Sequence, residues 1–196
     1  TLLNPTPRDI ATTLTYYVVG QPAPSTKVII VPPTSRYTVA VHGDAEGVGR
    51  GKGVSIKVEA ADIEGLVAER PIYFANGAYS ALGAPEARPA WFFAEGYTGP
   101  GFAESLVILN PNAGSAAVRL TYYLDTGAPV VKTLTLAGQQ RTTINVNDTT
   151  LGVGPGRPVS AKVESTNGVT IVAERPMIFT YNGVTPGAHT VIGYAP

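Results

Sequence analysis

The sequence predicts an all-β protein of two tandem antiparallel β-sandwiches. Three observations carry that reading. The stretch Val67-Ala68-Glu69-Arg70-Pro71, running on to Phe74, returns as Val172-Ala173-Glu174-Arg175-Pro176, running on to Phe179, 105 residues later. Short segments of alternating apolar and polar residues recur in the same order in both halves, which is the period of a half-buried strand. Gly and Pro together supply 39 of 196 residues, spread as punctuation between apolar runs, a profile of many strands and turns.

The repeat holds on following the offset outward. Val54-Ser55-Ile56-Lys57-Val58-Glu59 meets Val159-Ser160-Ala161-Lys162-Val163-Glu164, and Arg36 meets Arg141. Further upstream the offset becomes 106: Leu14-Thr15-Tyr16-Tyr17 meets Leu120-Thr121-Tyr122-Tyr123, and Leu3-Asn4-Pro5 meets Leu109-Asn110-Pro111. The domains are read as 1–88, a first repeat without its leading strand, and 89–196, with Pro85 and Pro89 stiffening the linker between them.

The elements follow in order. Leu14, Tyr16 and Val18 form the core face of the first long strand, with Thr13, Thr15 and Tyr17 opposite; Leu120, Tyr122 and Leu124 match them, with Tyr123 outward. Strands containing Ile29 and Val31, or Leu134 and Leu136, come next, then strands at 37–41 and 142–146. Gly-rich segments 43–53 and 147–158 read as flexible loops. Val54–Glu59 and Val159–Glu164 follow, with Val54, Ile56, Val58, Val159, Ala161 and Val163 on the core face.

Asn167-Gly168 is a hairpin signal before the Val-Ala-Glu-Arg-Pro strand. A two-residue turn there sets Ala161 opposite Glu174, turning Glu174 inward, with Arg141 or Arg175 as partner. Pro71 and Pro176 belong at a strand edge or a bulge, because Pro cannot donate to the ladder. One asymmetry remains. The second repeat owns a leading segment, Trp91 to Ile108, whose counterpart is missing before Leu3, so the chain reads as a window on a longer array.

Trp91-Phe92-Phe93-Ala94-Glu95-Gly96-Tyr97-Thr98-Gly99, Leu109-Asn110-Pro111-Asn112 and the Val172 to Phe179 stretch resemble a tandem repeat of large bacterial secreted proteins. The resemblance implies an immunoglobulin-like sandwich, a cell-surface or extracellular location, and a structural or adhesive role. It carries no catalytic residues.

Charge is balanced in each half, eight basic against eight acidic residues in 1–90 and six against six in 91–196. No basic stripe attracts phosphates, so nucleic acid is not an expected partner. There is no Cys, and no apolar run is long enough to insert in a membrane. No cofactor or metal is expected. The two histidines, His42 and His189, are not equivalent between repeats, and no nucleophile–base arrangement is visible, so the chain is read as no enzyme. Gly47 to Gly53 lacks the spacing of a phosphate loop. Asp44 and Glu46 are replaced by Thr149 and Leu151 in the second repeat, against a recurrent calcium site. Lys57 and Lys162 point away from the core, against an isopeptide crosslink.

Two functions from different classes fit these readings. The first is a structural repeat, a filament subunit in which copies join head to tail by strand addition. A neighbour would then cover an edge near Leu3 and Leu14, with the C-terminal segment His189 to Pro196 or an upstream segment as donor. The second is a module binding cell-surface glycan through exposed aromatics. Residues singled out are Glu69, Arg70, Pro71, Glu174, Arg175 and Pro176 as structural motif. Leu3, Leu14, Tyr17, Tyr123, His189 and Tyr194 are candidates for an assembly or ligand surface, and Asn147 for glycosylation.

Overall fold

The computed structural model describes residues 1–61, 65–74 and 77–196. The fold is all-β with small antiparallel sheets, and no helix occurs among the described residues. In chain order the strands are β1 (Leu2–Asn4), β2 (Ile10–Val18), β3 (Ser25–Val31), β4 (Ser35–Tyr37), β5 (Val54–Ala60), β6 (Val67–Phe74), β7 (Gly77–Leu82), β8 (Ala90–Phe93), β9 (Phe102–Asn110), β10 (Ala116–Leu124), β11 (Val130–Leu136), β12 (Gln140–Asn145), β13 (Val159–Ser165), β14 (Val172–Tyr181) and β15 (Thr185–Ile192).

Two compact units divide at Pro71/Ile72, inside β6 and not in the Pro-containing linker at 84–90. The Thr190 hydroxyl donates to Tyr79 at 2.9 Å, so β7 belongs with β15 in the larger unit although its sequence belongs to the first repeat.

In the larger unit the sheets have the orders β11-β10-β13-β8 and β12-β9-β14-β15. Both sheets contribute to one core: Trp91, Phe93, Val118, Leu120, Tyr122, Ala161 and Val163 from the first, Leu106, Ile108, Ile144 and Ala173 from the second. The smaller unit has β3-β2-β5 against a sheet in which β1 lies between β4 and β6. Leu2, Leu14, Tyr16, Val18, Ile29 and Val31 form its core. The alternating faces of β2 and β10 thus point as their sequences predict. The faces of β5 and β13 differ: Val159, Ala161 and Val163 are buried, whereas Val54, Ile56 and Val58 are only half-buried.

The repeat extends to fine detail. Tyr16 donates its hydroxyl to the Glu46 carbonyl at 2.6 Å, and Tyr122 to the Leu151 carbonyl at 2.9 Å. The Gly-rich loops are thus tied back to the sheets at defined points. The Val48 and Val153 amides return to the carbonyls of Val41 and Val146. A Cβ on Gly47 or Gly152 would lie 2.2 or 2.3 Å from those same carbonyl oxygens, so only glycine fits.

Asn4 and Asn110 are fully buried and hold the first turn of each repeat. The Asn110 amide donates to the carbonyls of Gly114, Leu136 and Ala137 while its oxygen accepts from the Asn112 amide. Asn4 donates likewise to Arg8, Val31 and Pro32 and accepts from Thr6. Each thereby satisfies loop carbonyls that burial would otherwise strand.

Three expectations are corrected. β13 and β14 lie in different sheets, so Asn167-Gly168 closes no hairpin, and 166–171 crosses between layers. Glu174 faces outward beside Val107, and Arg175 turns inward, 3% exposed. Pro176 lies in an interior strand: β14 pairs β9 at Glu174↔Val107 and again at Met177↔Glu104 in unchanged register. The missing N–H opens a gap in the ladder without a bulge.

Truncation should report the difference between the repeats. Leu120→Ala should cost about 2–5 kcal/mol in urea unfolding. Val163→Ala should cost about 2 kcal/mol and Val58→Ala less than about 1, because Val58 retains contact with solvent.

Candidate functional site

The feature that separates the repeats is the leading segment. Sequence reasoning takes Trp91 to Ile108 as one strand, but it is two strands in different sheets, β8 and β9. β8 runs antiparallel along β13 with Phe93 opposite Ala161, Phe92 opposite Lys162 and Trp91 opposite Val163. Alternation sends Trp91 and Phe93 into the core, 3% and 4% exposed, and Phe92 outward. The Trp91 indole N–H donates to the Ile171 carbonyl at 2.7 Å, the partner a buried indole needs. Lys162 Nζ sits 5.6 Å from the centroid of the Phe92 ring. At the two ends of the strand Ser165 N–H donates to Pro89 and Val159 N–H to Gly96. The other edge of β8 is closed by Tyr194, which exchanges two backbone bonds with Phe92, at 2.8 and 2.9 Å.

Beyond β8 the same segment supplies Arg175 with one carboxylate partner and places a second carboxylate within its field. Glu95 Oε2 is 2.9 Å from Arg175 Nη2. Glu104, 1% exposed, accepts from the Tyr97 amide at 2.6 Å. Gly96 is required here, since a Cβ would lie 2.6 Å from both Glu104 oxygens. Burial pushes the Glu104 carboxyl up to about 7, against the opposing pull of Arg175 and the Tyr97 amide. The Tyr122 hydroxyl is pushed up by burial and by Glu104, and His189 is pushed down by burial and by Arg175. Asn147 clamps the loop: its oxygen accepts from Glu104 N–H, and its amide donates to the carbonyls of Thr98 and Phe102. A shallow depression lined by Thr98, Gly99, Pro100, Asn147, Pro155 and Gly156 adjoins it and holds no ionisable group.

In the first repeat the counterparts of Ala161, Lys162, Val163 and Glu164 are Ile56, Lys57, Val58 and Glu59. Among the described residues β5 pairs with β2 alone and stands at the edge of its sheet. Lys57 and Glu59 form the same 2.6 Å ion pair on its outer face that Lys162 and Glu164 form at 2.5 Å on β13. β1 is only three residues long and spans Val67 and Ala68 of β6, where β9 spans Val172 to Glu174 and Met177 to Phe179 of β14. The open edge of β5 is the candidate site.

The other sequence-selected residues do not converge. The edge expected near Leu3 and Leu14 is elsewhere: β1 lies between β4 and β6, and β2 between β3 and β5, with Leu14 buried. Tyr17, expected outward like Tyr123, is 4% exposed, whereas Tyr123 is 44% exposed. The outer face of β2 is buried at Thr15 and Tyr17, though not at Ala11, a condition that alternation cannot reveal. The expected donor segment is engaged in its own unit, His189 in β15 beside β14 and Tyr194 on Phe92. The Asn147 amide is committed to the loop clamp, so glycosylation there would cost those bonds. Glu69 and Thr1 exchange backbone bonds. Glu104 and the clamping roles of Asn110 and Asn147 have no signal in the sequence, because a side chain that bonds distant loop carbonyls leaves no periodic signature. Among the described residues there is no group of His, Asp or Glu able to hold a metal and no helix long and apolar enough to cross a membrane.

No protein-family model and no curated protein matches the chain. Among solved structures, the crystal structure of Thermotoga maritima 1070 is similar, with TM-score 0.50 and 24% identity over 56% of this chain and 96% of that one. The Anabaena sensory rhodopsin transducer aligns at TM-score 0.40 and 26% identity, over 47% of this chain and 86% of that one. The first likeness speaks to fold alone, and the second is too distant to argue from.

Glu104 sets a pH dependence. Its folded value near 7 lies above the ordinary 4.5, so between those values the folded chain holds a proton that the unfolded chain releases. Its contribution is greatest below pH 4.5 and falls as pH rises to about 7, by about 3 kcal/mol over that window. Glu104→Gln should flatten that slope and raise the melting temperature at pH 8. An unchanged slope in thermal melts would contradict the assignment.

Proposed function

We propose that the chain is a non-enzymatic structural repeat protein of an extracellular or cell-surface assembly, built from two immunoglobulin-like β-sandwiches, in which copies join head to tail by strand addition. One observation carries the reading: β13 is covered by β8, and its counterpart β5 is an edge. An edge strand with half-buried Val54, Ile56 and Val58 offers both unpaired backbone groups and apolar side chains. A strand that docks there gains main-chain hydrogen bonds and side-chain pockets together.

The contact is heterologous, one end of a copy against the other end of the next, and such contacts propagate unless rotation closes them. The surface location follows from the resemblance of the Trp-Phe-Phe-Ala-Glu-Gly and Val-Ala-Glu-Arg-Pro stretches to secreted repeats. A glycan-binding role finds less support, because the repeated Tyr17/Tyr123 pair does not make two equivalent platforms, one ring being buried.

Sedimentation velocity over a micromolar concentration range tests the assembly. The expected result is concentration-dependent growth beyond the 20.4 kDa chain. A single species of that mass with a cooperative melt would contradict it.

A further inference from the structure

We infer that Asn167-Gly168 is a self-modifying site. There the chain's own backbone closes on the Asn167 side chain to a succinimide, which water opens to aspartate or isoaspartate. Such a ring closure has two requirements, whatever the state of assembly. The Gly168 nitrogen must be free to attack, and the Asn167 carbonyl must be held where its oxygen can take up charge.

Both are met. Asn167 and Gly168 lie exposed in the 166–171 crossing between the two sheets of the larger unit. The Gly168 N–H has no hydrogen-bond acceptor among the described residues. The Asn167 side-chain oxygen accepts from the Ala117 amide at 3.1 Å and from the Ser165 hydroxyl at 2.9 Å. Two donors thus converge on the atom that becomes an oxyanion when the glycine nitrogen adds. The Asn167 amide nitrogen, which must leave, donates to the Ser115 carbonyl at 2.9 Å. That carbonyl remains as acceptor while the nitrogen takes on a proton.

The reaction is neither an oxidation nor a reduction. Gly168 N loses its proton to water and bonds to the Asn167 side-chain carbonyl carbon. The Cγ–Nδ2 bond breaks, and ammonia departs with a proton taken from water. A second water then adds to either carbonyl of the imide. Conversion acts on the fold, because Asn167 ties the crossing to Ser115 and Ala117. The acid keeps both donors but sets a carboxylate oxygen against the Ser115 carbonyl. Isoaspartate also adds a carbon to the main chain of the crossing.

The sequence carries an internal comparison. It has three Asn-Gly pairs, of which Asn76 lies outside the described residues. Asn182-Gly183 is followed by valine, as Asn167-Gly168 is. Both glycines face open space where a Cβ would stand, so access does not separate them. Hydrogen bonding does. The Gly183 amide is committed to the Thr180 carbonyl at 3.2 Å, and no donor holds the Asn182 side-chain oxygen among the described residues.

The test ages the full 1–196 chain at neutral pH, folded and in urea. Digestion and mass spectrometry at intervals read the amide-to-acid change at each asparagine, and chromatography separates aspartate from isoaspartate. In the folded chain Asn167 should convert about tenfold or more faster than Asn182, and in urea the two should convert at similar rates. Ser165→Ala removes one donor and leaves the Ser165 backbone bond to Pro89 in place. It should slow Asn167 about tenfold in the folded chain, less than a donor contributes in a dry enzyme site because Asn167 faces water, and leave Asn182 unchanged. Four results would each overturn the inference. They are Asn182 converting as fast as Asn167 in the folded chain, Asn167 intact when folded yet converted in urea, an unaltered rate in Ser165→Ala, and aspartate without isoaspartate.

Discussion

A strand satisfies its backbone only when both edges find partners, and this constraint organises the whole chain. In the second repeat β8 meets it for β13, and Tyr194 then meets it for β8. The aromatic side chains of β8 do the rest. Trp91 and Phe93 close the end of the core, so Ala161 and Val163 beneath them are buried. On β5, which among the described residues pairs with β2 alone, the matching Ile56 and Val58 are half-buried with the same ion pair outside them. The two repeats thus compare matching strands within one polypeptide, β13 flanked on both sides and β5 on one.

That segment also decides the electrostatics. Arg175 projects into the core face of β14, where a guanidinium is costly without compensation. Glu95 and Glu104 both come from the leading segment, and Glu104 is buried deeply enough to titrate near 7. The recurring Glu-Arg-Pro stretch accordingly reads differently from the two sides of the sheet. In the second repeat its Arg is the buried member, and its Glu faces out.

Much of this was legible in the sequence. The offset of 105–106 residues located the equivalent strands, and alternation placed Leu14, Tyr16, Leu120 and Tyr122 inward. What alternation could not give was sheet membership. Asn167-Gly168 resembles a hairpin turn, yet 166–171 passes between layers, and that reversed the assignment of Glu174 and Arg175. Tyr17 was misplaced because both faces of β2 are buried at its C-terminal end, and period two identifies a face only where the other is wet. Asn4, Asn110 and Glu104 were invisible for a related reason: their burial is licensed by partners distant in sequence, such as Val31, Leu136 and Arg175.

Native-state hydrogen exchange compares the two edges most directly. Ser165 and Val159 donate toward the leading segment, and alternation puts the Ala161 and Val163 amides on that same edge. The matching amides in the first repeat are those of Ile56, Val58 and Ala60. The account requires Ala161, Val163 and Ser165 to be protected to near the global stability of their unit and Ile56, Val58 and Ala60 to exchange near the unprotected rate at concentrations where the chain is monomeric. Equal protection of the two sets in the monomer would mean that β5 is already covered, and the account of an open edge would fail.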